Sequence, residues 1–359
     1  MISYIIPTRN RPDMLLRTLR AIDSLGPHDA EVIVVDNASD SPVFSLLPAQ
    51  MTLPVTTIRL GANIAAAARN VGARRARGDW LVMLDDDSFP MSLEHERALR
   101  TVADDVVAVM ADITLPDGRR EQGGLPEVFI GCGVAIRREA FVREGGYDAT
   151  FGYYAEEYDL CARFLRAGLR IAFDPRFKVL HHKAQALRSK NEILERLVRN
   201  NGWVIQRYAP EGVRREQLLR SMRRYRAIAN RETSLGGYGR GLLELRSTLQ
   251  AQTRTPLERA KWDRFTGKAS ALGALQGAYD EEHFHAAALV GRGKNDWAIE
   301  AALLELGCKV VAPGTSEDVR VVGTLSPGPM LDLLESPPPG VRLIPSSTLG
   351  VYAMTAFDR

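Results

Sequence analysis

The segment 61–90, GANIAAAARNVGARRARGDWLVMLDDDSFP, constrains this chain more than any other. Small residues lead through a Gly-Asp turn to an apolar run, Trp80-Leu81-Val82-Met83-Leu84, which stops at three consecutive carboxylates, Asp85, Asp86 and Asp87. A short run of that kind after a helical stretch reads as a strand buried on both faces. Ligands of open α/β sheets bind beyond the carboxyl ends of the strands, which is where these acids stand. Neighbouring carboxylates repel one another, and a hard divalent cation such as Mg²⁺ or Mn²⁺, shared with substrate phosphates, would neutralise them. Taken alone, an acidic triplet is also what a solvated loop or a helix cap looks like.

The flanking chain strengthens the ligand reading. Apolar runs over 2–6, 31–35, 55–60 and 80–84 alternate with helical stretches, one with Leu15, Leu16, Leu19 and Ile22 on one face and one over 61–77. That alternation predicts an α/β protein with a parallel, doubly wound sheet. The second strand also ends in an acid, Asp36, within Asp36-Asn37-Ala38-Ser39-Asp40, so two strands deliver carboxylates to one crevice; an Asx turn is the plainer role for Asp36. Further strands are predicted over 106–113, 129–136, 171–173 and 177–180, the last ending at His181-His182. A helix opens at Glu156-Glu157-Tyr158-Asp159, where acids in the first turn suit the helix dipole.

Composition removes several classes. The 359 residues carry a net charge of +3, too mild to imply nucleic-acid binding, and are 45% hydrophobic and 25% charged, as in ordinary globular proteins. Three dispersed cysteines, Cys132, Cys161 and Cys308, form neither a disulfide framework nor a zinc pattern. The amino terminus reads as a first strand rather than a secretory leader, and no apolar run approaches the roughly 18 to 20 residues that span a bilayer. The expectation is a cytoplasmic protein, peripheral to the inner face of the membrane at most. The Ala-, Arg- and Gly-rich composition suits a GC-rich bacterial source.

Six pieces occur in order: Pro7-Thr8-Arg9-Asn10, Val35-Asp36-Asn37-Ala38-Ser39, Asn63 through Arg69-Asn70-Val71-Gly72, Leu84-Asp85-Asp86-Asp87, Gly131 through Gly146-Tyr147-Asp148, and Glu156-Glu157-Tyr158-Asp159-Leu160. In this arrangement, over residues 2–182, the chain resembles the inverting, nucleotide-sugar-dependent glycosyltransferases of family 2, which have the Rossmann-like GT-A fold. The resemblance implies a nucleoside diphosphate-sugar donor, most commonly a UDP-sugar, lying across the carboxyl edge of the sheet. Pro7, Thr8 and Arg9 would border base and phosphates, Asp36 would accept a hydrogen bond from the base, and Asn63 and Arg69 would lie along the nucleotide. Asp85 and Asp86 would face the nucleoside, while Asp87 would hold Mg²⁺ or Mn²⁺, with His182 or its neighbour His181 as a further ligand. Inversion requires a base for the acceptor hydroxyl, a role that falls on Glu157, with Asp159 as the runner-up and Glu156 beside it. Many relatives have Asp at the position of Glu157. Two acids so close raise one another's pKa, which suits a carboxylate base near neutral pH.

The remainder divides in two. Residues 184–266 read as helical and basic, with 18 Arg or Lys against 8 Asp or Glu between 188 and 264. Arg199-Asn200-Asn201-Gly202-Trp203 resembles a segment that follows the catalytic domain in relatives acting on lipid-linked acceptors. With Trp203, Tyr208, Tyr225 and Trp262, this region fits either an anionic membrane surface or a solvated basic cover for the sheet. The glycine-rich 236–241 predicts a flexible break over the acceptor. From Ala286 the pattern strand, Gly291-Arg292-Gly293-Lys294-Asn295, helix, strand resembles half a dinucleotide-binding unit, but Asp296 stands where the third glycine belongs and no ribose-binding acid follows. A small accessory or oligomerisation module is expected. The predicted organisation is a catalytic domain over 1–185, a basic helical extension over 186–282 and a small α/β module over 283–359. The acceptor is a saccharide, a lipid-linked saccharide or a small molecule, and a homo-oligomer is compatible. Competing readings are a nucleotidyltransferase, although residues 7–10 lack its Gly-rich, Lys-bearing loop; a non-catalytic nucleotide-sugar-binding protein, which would not need Glu157; and an NAD-linked enzyme working through the C-terminal half.

Overall fold

The computed structural model describes residues 1–46, 51–183 and 189–357. Eight strands form one large sheet: β1 (Ile2–Thr8), β2 (Ala30–Asp36), β3 (Val55–Arg59), β4 (Trp80–Met83), β5 (Ser88–Pro90), β6 (Val106–Thr114), β7 (Val134–Arg137) and β8 (Arg170–His181). Their spatial order is β3-β2-β1-β4-β7-β6-β8-β5. β1, β2 and β4 are buried almost throughout and pair in parallel, as continuous apolar runs between helical layers must. Their carboxyl ends, at Thr8, Asp36 and the 85–87 triplet, therefore share one edge of the sheet.

The sheet is not wholly parallel. β7 runs antiparallel to both β4 and β6, and β5 runs antiparallel to β8. The physical reason lies in the connection: no helix separates β6 from β7, and a parallel neighbour needs a crossover that an antiparallel one does not. The strand expected over 129–136 begins only at Val134, and the two strands expected over 171–180 are one, with an irregularity where Ala111 pairs Asp174 but Asp112 pairs Lys178. The register of β5 on β8 sets Ser88 opposite His181, which brings the end of β8 beside the acid triplet.

The helix expected over 61–77 is shorter, Ala68–Arg75, after a 3-10 turn. Its start is fixed by the Asn63 side chain, which accepts from the Ala65 amide, and by Asn37, which accepts from the Ile64 amide. Gly72 lets this helix settle on the sheet, because a Cβ there would lie 2.7 Å from a methyl of Ile5.

Helices Lys190–Tyr208, Glu211–Arg231, Leu235–Thr248 and Arg259–Thr266 form the basic segment. Residues 184–188, at the first expected domain boundary and the start of that segment, lie outside the described residues. The loop expected over 236–241 is helical instead. Its glycines serve close packing: a Cβ on Gly237 would sit 2.2 Å from the Asn191 carbonyl oxygen, and one on Gly241 2.6 Å from that of Glu195. Among the described residues no helix is long and apolar enough to cross a membrane.

The C-terminal stretch forms a second, parallel sheet of β9 (Ala286–Val290), β10 (Lys309–Val311) and β11 (Val319–Val322), with β9 central. It does not stand apart. Leu289 and Val321 belong to the same apolar cluster as Leu125 and Ile136 of the large sheet's surroundings, and Arg120 ties the two together. Arg120 binds the buried Asp112 at 2.7 Å and reaches Asp332 at 3.1 Å and Glu335 at 2.6 Å. Arg120→Ala should cost about 3 kcal/mol, since it strands a buried carboxylate, and thermal unfolding should show a clear drop in stability. An unchanged melting curve would mean that the two sheets dock by apolar contact alone.

Candidate functional site

Three carboxylates at one strand end demand cations, and the fold supplies them from three directions. Arg69, buried on the helix Ala68–Arg75, pairs with Asp85 and donates to the Leu84 carbonyl at 3.1 Å. Arg11, at the start of the helix Pro12–Asp23, pairs with Asp86 at 2.8 Å and Asp87 at 2.5 Å. His181, on β8, approaches Asp87 at 3.4 Å. Thr8 adds a hydroxyl bond of 2.8 Å to Asp86.

The acids are not equivalent. Asp85 is 41% exposed, whereas the side chains of Asp86 and Asp87 are 5% and 4% exposed. Burial, backed by the charges of Asp87 and Asp85, pushes Asp86 up to about 7 against the pull of Arg11 and Thr8. Burial acts the same way on Asp87, but hydrogen bonds from His181 and Arg11 outweigh it and hold that carboxyl below its usual range.

A metal fits here by donor chemistry. Donor atoms of Asp85, Cys132 and His181 lie within 4.8 Å of one another. Burial pushes the Cys132 thiol up, which keeps it protonated and leaves the carboxylate and imidazole to suit a hard cation such as Mg²⁺ or Mn²⁺. Glu121 holds His181 Nδ1 at 2.8 Å and is itself held by Lys183 at 2.7 Å. A carboxylate on the far nitrogen is the usual support of a metal-binding imidazole.

Of the two candidate histidines, His181 reaches the acids and His182 does not. The His182 side chain is exposed against Phe89, and only its backbone N–H meets Asp87, at the carbonyl. Strand alternation carried this signal, because His181 shares the face of the buried Phe177 and Val179.

At the other end of the edge, Asp36 Oδ1 accepts from the Ser39 amide at 2.8 Å, forming the expected turn. Its Oδ2 is buried without a hydrogen bond, with Arg59 Nε 4.0 Å away. Arg69 Nε is likewise buried and unbonded. Buried polar atoms left unbonded are costly, and both are positions that a bound ligand can satisfy. Pro7 is half-buried in β1, while Arg9 is exposed and bonds only the Ala38 carbonyl, at 3.4 Å. Asn63 is exposed and holds the turn before the helix.

The acidic helix, Glu156–Arg166, begins after two residues with left-handed backbone, Tyr154 and Ala155. That conformation is strained for non-glycine residues, and Asn200 holds it in place. Its fully buried amide donates to the carbonyls of Phe151, Tyr153 and Tyr154 at 3.0, 2.9 and 2.6 Å. Glu157 emerges half-buried, with Oε1 3.1 Å from where a Cβ on Gly131 would be, so a larger residue there would crowd its carboxylate. Glu156 is 6% exposed and its Oε2 is buried and unbonded. Burial raises both carboxyls, and the charge of Glu157 adds to the effect on Glu156. With Arg69 nearby to support one negative charge, the more buried Glu156 keeps the proton and Glu157 presents the carboxylate. Asp159 is drawn away from this role: it is 1% exposed and bound by Arg163 at 2.8 Å, Arg207 at 2.9 Å and Tyr208 at 2.7 Å.

The structure thus brings Thr8, Arg69, Asp85, Asp86, Asp87, Glu156 and Glu157 together at the carboxyl edge of the sheet, with Asp36 farther along it. Sequence reasoning passed over Arg11, Glu121 and Cys132. Nothing in their local spacing marks them, because they lie in loops and at a helix start that only tertiary packing brings to the acids. Arg11→Ala should destabilise the protein in EDTA by about 2 kcal/mol, measurable by thermal unfolding, since it leaves Asp86 and Asp87 a cation short; an equal melting temperature would assign the neutralisation to His181 alone.

Residues 3–157 match the family described as glycosyl transferase family 2. The chain is 29% identical over 192 residues to an uncharacterized glycosyltransferase of Haemophilus influenzae, covering 46% of this chain and 62% of that protein. It is also 29% identical over 210 residues to the pre-mycofactocin glycosyltransferase of Mycobacterium tuberculosis, covering 51% and 43%. The chain therefore spans less than two thirds of the length of these relatives. In fold it is similar to S. aureus TarS 1–349 in complex with UDP-GlcNAc, with a TM-score of 0.52, 15% identity and coverage of 86% and 92%. GalNAc-T7 with UDP, GalNAc and Mn²⁺ gives a TM-score of 0.50 and 15% identity, covering 70% of this chain and 57% of that one.

Proposed function

We propose that this chain, whose residues 3–157 match the family glycosyl transferase family 2 and whose large sheet has the GT-A fold, transfers a sugar, with inversion, from a nucleoside diphosphate-sugar to an acceptor hydroxyl. The observation that carries this reading is Glu157: a half-buried carboxylate with raised pKa, facing Gly131 beside Arg69 and the acid triplet. A UDP-sugar is the donor we favour, and the acceptor is a saccharide, a lipid-linked saccharide or a small molecule approaching over the basic helices. Those helices suit peripheral contact with an anionic membrane.

Each residue's part follows from its surroundings. Asp36 offers its unbonded oxygen to an N–H of the base, and Pro7, Thr8, Arg9 and Asn63 border the nucleotide. Asp85, Asp87 and His181 would hold Mg²⁺ or Mn²⁺, a cation that would neutralise charge growing on the diphosphate. Arg69 keeps Asp85 oriented and keeps one of the two glutamates ionised. Glu157 takes the proton of the acceptor hydroxyl as that oxygen attacks the anomeric carbon. Glu156, protonated and buried, holds its neighbour in place and adds no competing charge.

Calorimetry with UDP, GDP and dTDP, each with and without Mn²⁺, tests the donor site. The expected result is metal-dependent binding of one diphosphate that Asp87→Ala abolishes; binding of none of them would refute the reading. Glu157→Gln should retain donor affinity while turnover falls by about 10² to 10⁴. Because the base must be unprotonated and its pKa is raised, activity should decline with falling pH at a higher pH than an ordinary carboxylate would impose. A pH profile unchanged by Glu157→Gln would move the role to another group.

A further inference from the structure

The C-terminal sheet sends one side chain to the acidic helix. The loop Gly291-Arg292-Gly293-Lys294-Asn295 leaves β9 and is held by main-chain bonds: the Gly293 amide donates to the Gly323 carbonyl at 2.9 Å, and the Lys294 carbonyl accepts from the Leu325 amide at 2.9 Å. A Cβ on Gly293 would lie 2.8 Å from the hydroxyl oxygen of the buried Thr324, so this close approach favours glycine. Asn295 closes the loop in left-handed backbone, with φ 55°, and its Nδ2 donates to the Thr266 carbonyl at 2.9 Å. The loop that resembles a dinucleotide-binding turn is thus fastened at both ends, and its lysine is aimed inward.

The two cations of the loop differ. Arg292 is exposed and pairs with Asp296 at 3.2 Å and Glu300 at 2.6 Å. Lys294 is half-buried, donates to the Tyr158 hydroxyl and lies 4.6 Å from the centre of that ring. Among the described residues it has no salt bridge. Withdrawing an ammonium from water without a counter-charge is costly, and burial depresses Lys294 to about 7. An amine keeps N–H donors when it loses its charge, so the bond to Tyr158 persists on both sides of that pH. Tyr158 is gripped from a second side as well. Phe265 meets its ring edge-to-face at 6.1 Å, and Phe265 precedes Thr266, the residue to which Asn295 is fastened. Lys294, Tyr158 and Phe265 therefore form one closed contact between the C-terminal module and the first turn of the helix Glu156–Arg166. Tyr158 follows Glu157 directly in that turn. Asn200 fixes the strained turn before the helix, and this contact fixes the first residues of the helix itself.

We propose that Lys294 is a positioning residue for the transfer reaction: by holding Tyr158 it sets the first turn of the helix Glu156–Arg166, and with it the carboxylate of Glu157. This rests on the glycosyl-transfer reading above and makes the C-terminal module part of the catalytic apparatus. Lys294 touches neither substrate nor reacting atoms. It acts through Tyr158, and misplacement of a catalytic group by about 1 Å can cost about 10² in rate.

The test uses the full chain with Mn²⁺ and follows UDP release from UDP-glucose, UDP-galactose and UDP-GlcNAc, with water as the acceptor. The water oxygen then replaces the diphosphate oxygen on the anomeric carbon, and Glu157 takes the proton. Lys294→Cys should lower kcat by about ten- to a hundredfold, with KM and calorimetric UDP affinity unchanged. Alkylating that variant with 2-bromoethylamine rebuilds an amine at the length of lysine and should restore most of the rate. Cys132, Cys161 and Cys308 are buried, and wild type treated in the same way is the control. Tyr158→Phe should lower kcat comparably, and Lys294→Cys should add no loss in that background, as for two groups acting through one contact. The inference is overturned, with the transfer reading intact, by an unchanged kcat, a loss confined to KM, a loss that alkylation does not reverse, or independent losses from the two variants. If wild type releases UDP from none of the three, the transfer reading fails for these donors, and amide exchange over residues 156–160 decides the contact. Faster exchange in Lys294→Cys that alkylation reverses upholds the positioning, and unchanged exchange overturns it.

Discussion

Two carboxylates about 4 Å apart at an effective dielectric near 20 repel by about 4 kcal/mol, and the end of β4 sets three in a row. The rest of the site can be read as the response to that repulsion. Arg69 comes from the helix before the strand, Arg11 from the helix after β1, and His181 from the end of β8. Each arrives because an apolar face packs its element onto the sheet, so the charge pattern depends on the core. The neutralisation is also asymmetric. Asp86 and Asp87 are buried beside Arg11, whereas Asp85 is the most exposed of the three.

A second constraint is backbone strain at the base. Tyr154 and Ala155 hold left-handed conformations that L-residues avoid, and three carbonyls in this turn are gathered by one buried amide, that of Asn200. Arg199 beside it stacks over Trp203 and pairs with Glu244. The helical segment is thus more than a cover for the sheet, because it fixes the turn from which Glu156 and Glu157 emerge. Close contact of helices at Gly237 and Gly241 makes that support stiff.

The sequence by itself determined the strands β1, β2 and β4, since runs of apolar residues ending in polar ones have little else to become. It also marked the acid triplet, Asp36 and the Glu156-Glu157 pair, because chemistry clustered at strand and helix ends shows in a linear reading. It did not determine the direction of β7, which follows from a loop with no periodic signal, or the helix through 236–241, where glycine-rich sequence suggested a break and interhelical packing decided otherwise. It ranked Glu157 above Asp159 only through the family resemblance: both are acids near the start of one helix, and only the positions of Arg163, Arg207 and Tyr208 show that Asp159 is engaged. Arg11, Glu121 and Lys294 come from segments distant in the chain, and their approach is set by register and docking. Local pattern fixes which face of an element is buried, whereas what that face meets is decided only when the elements pack.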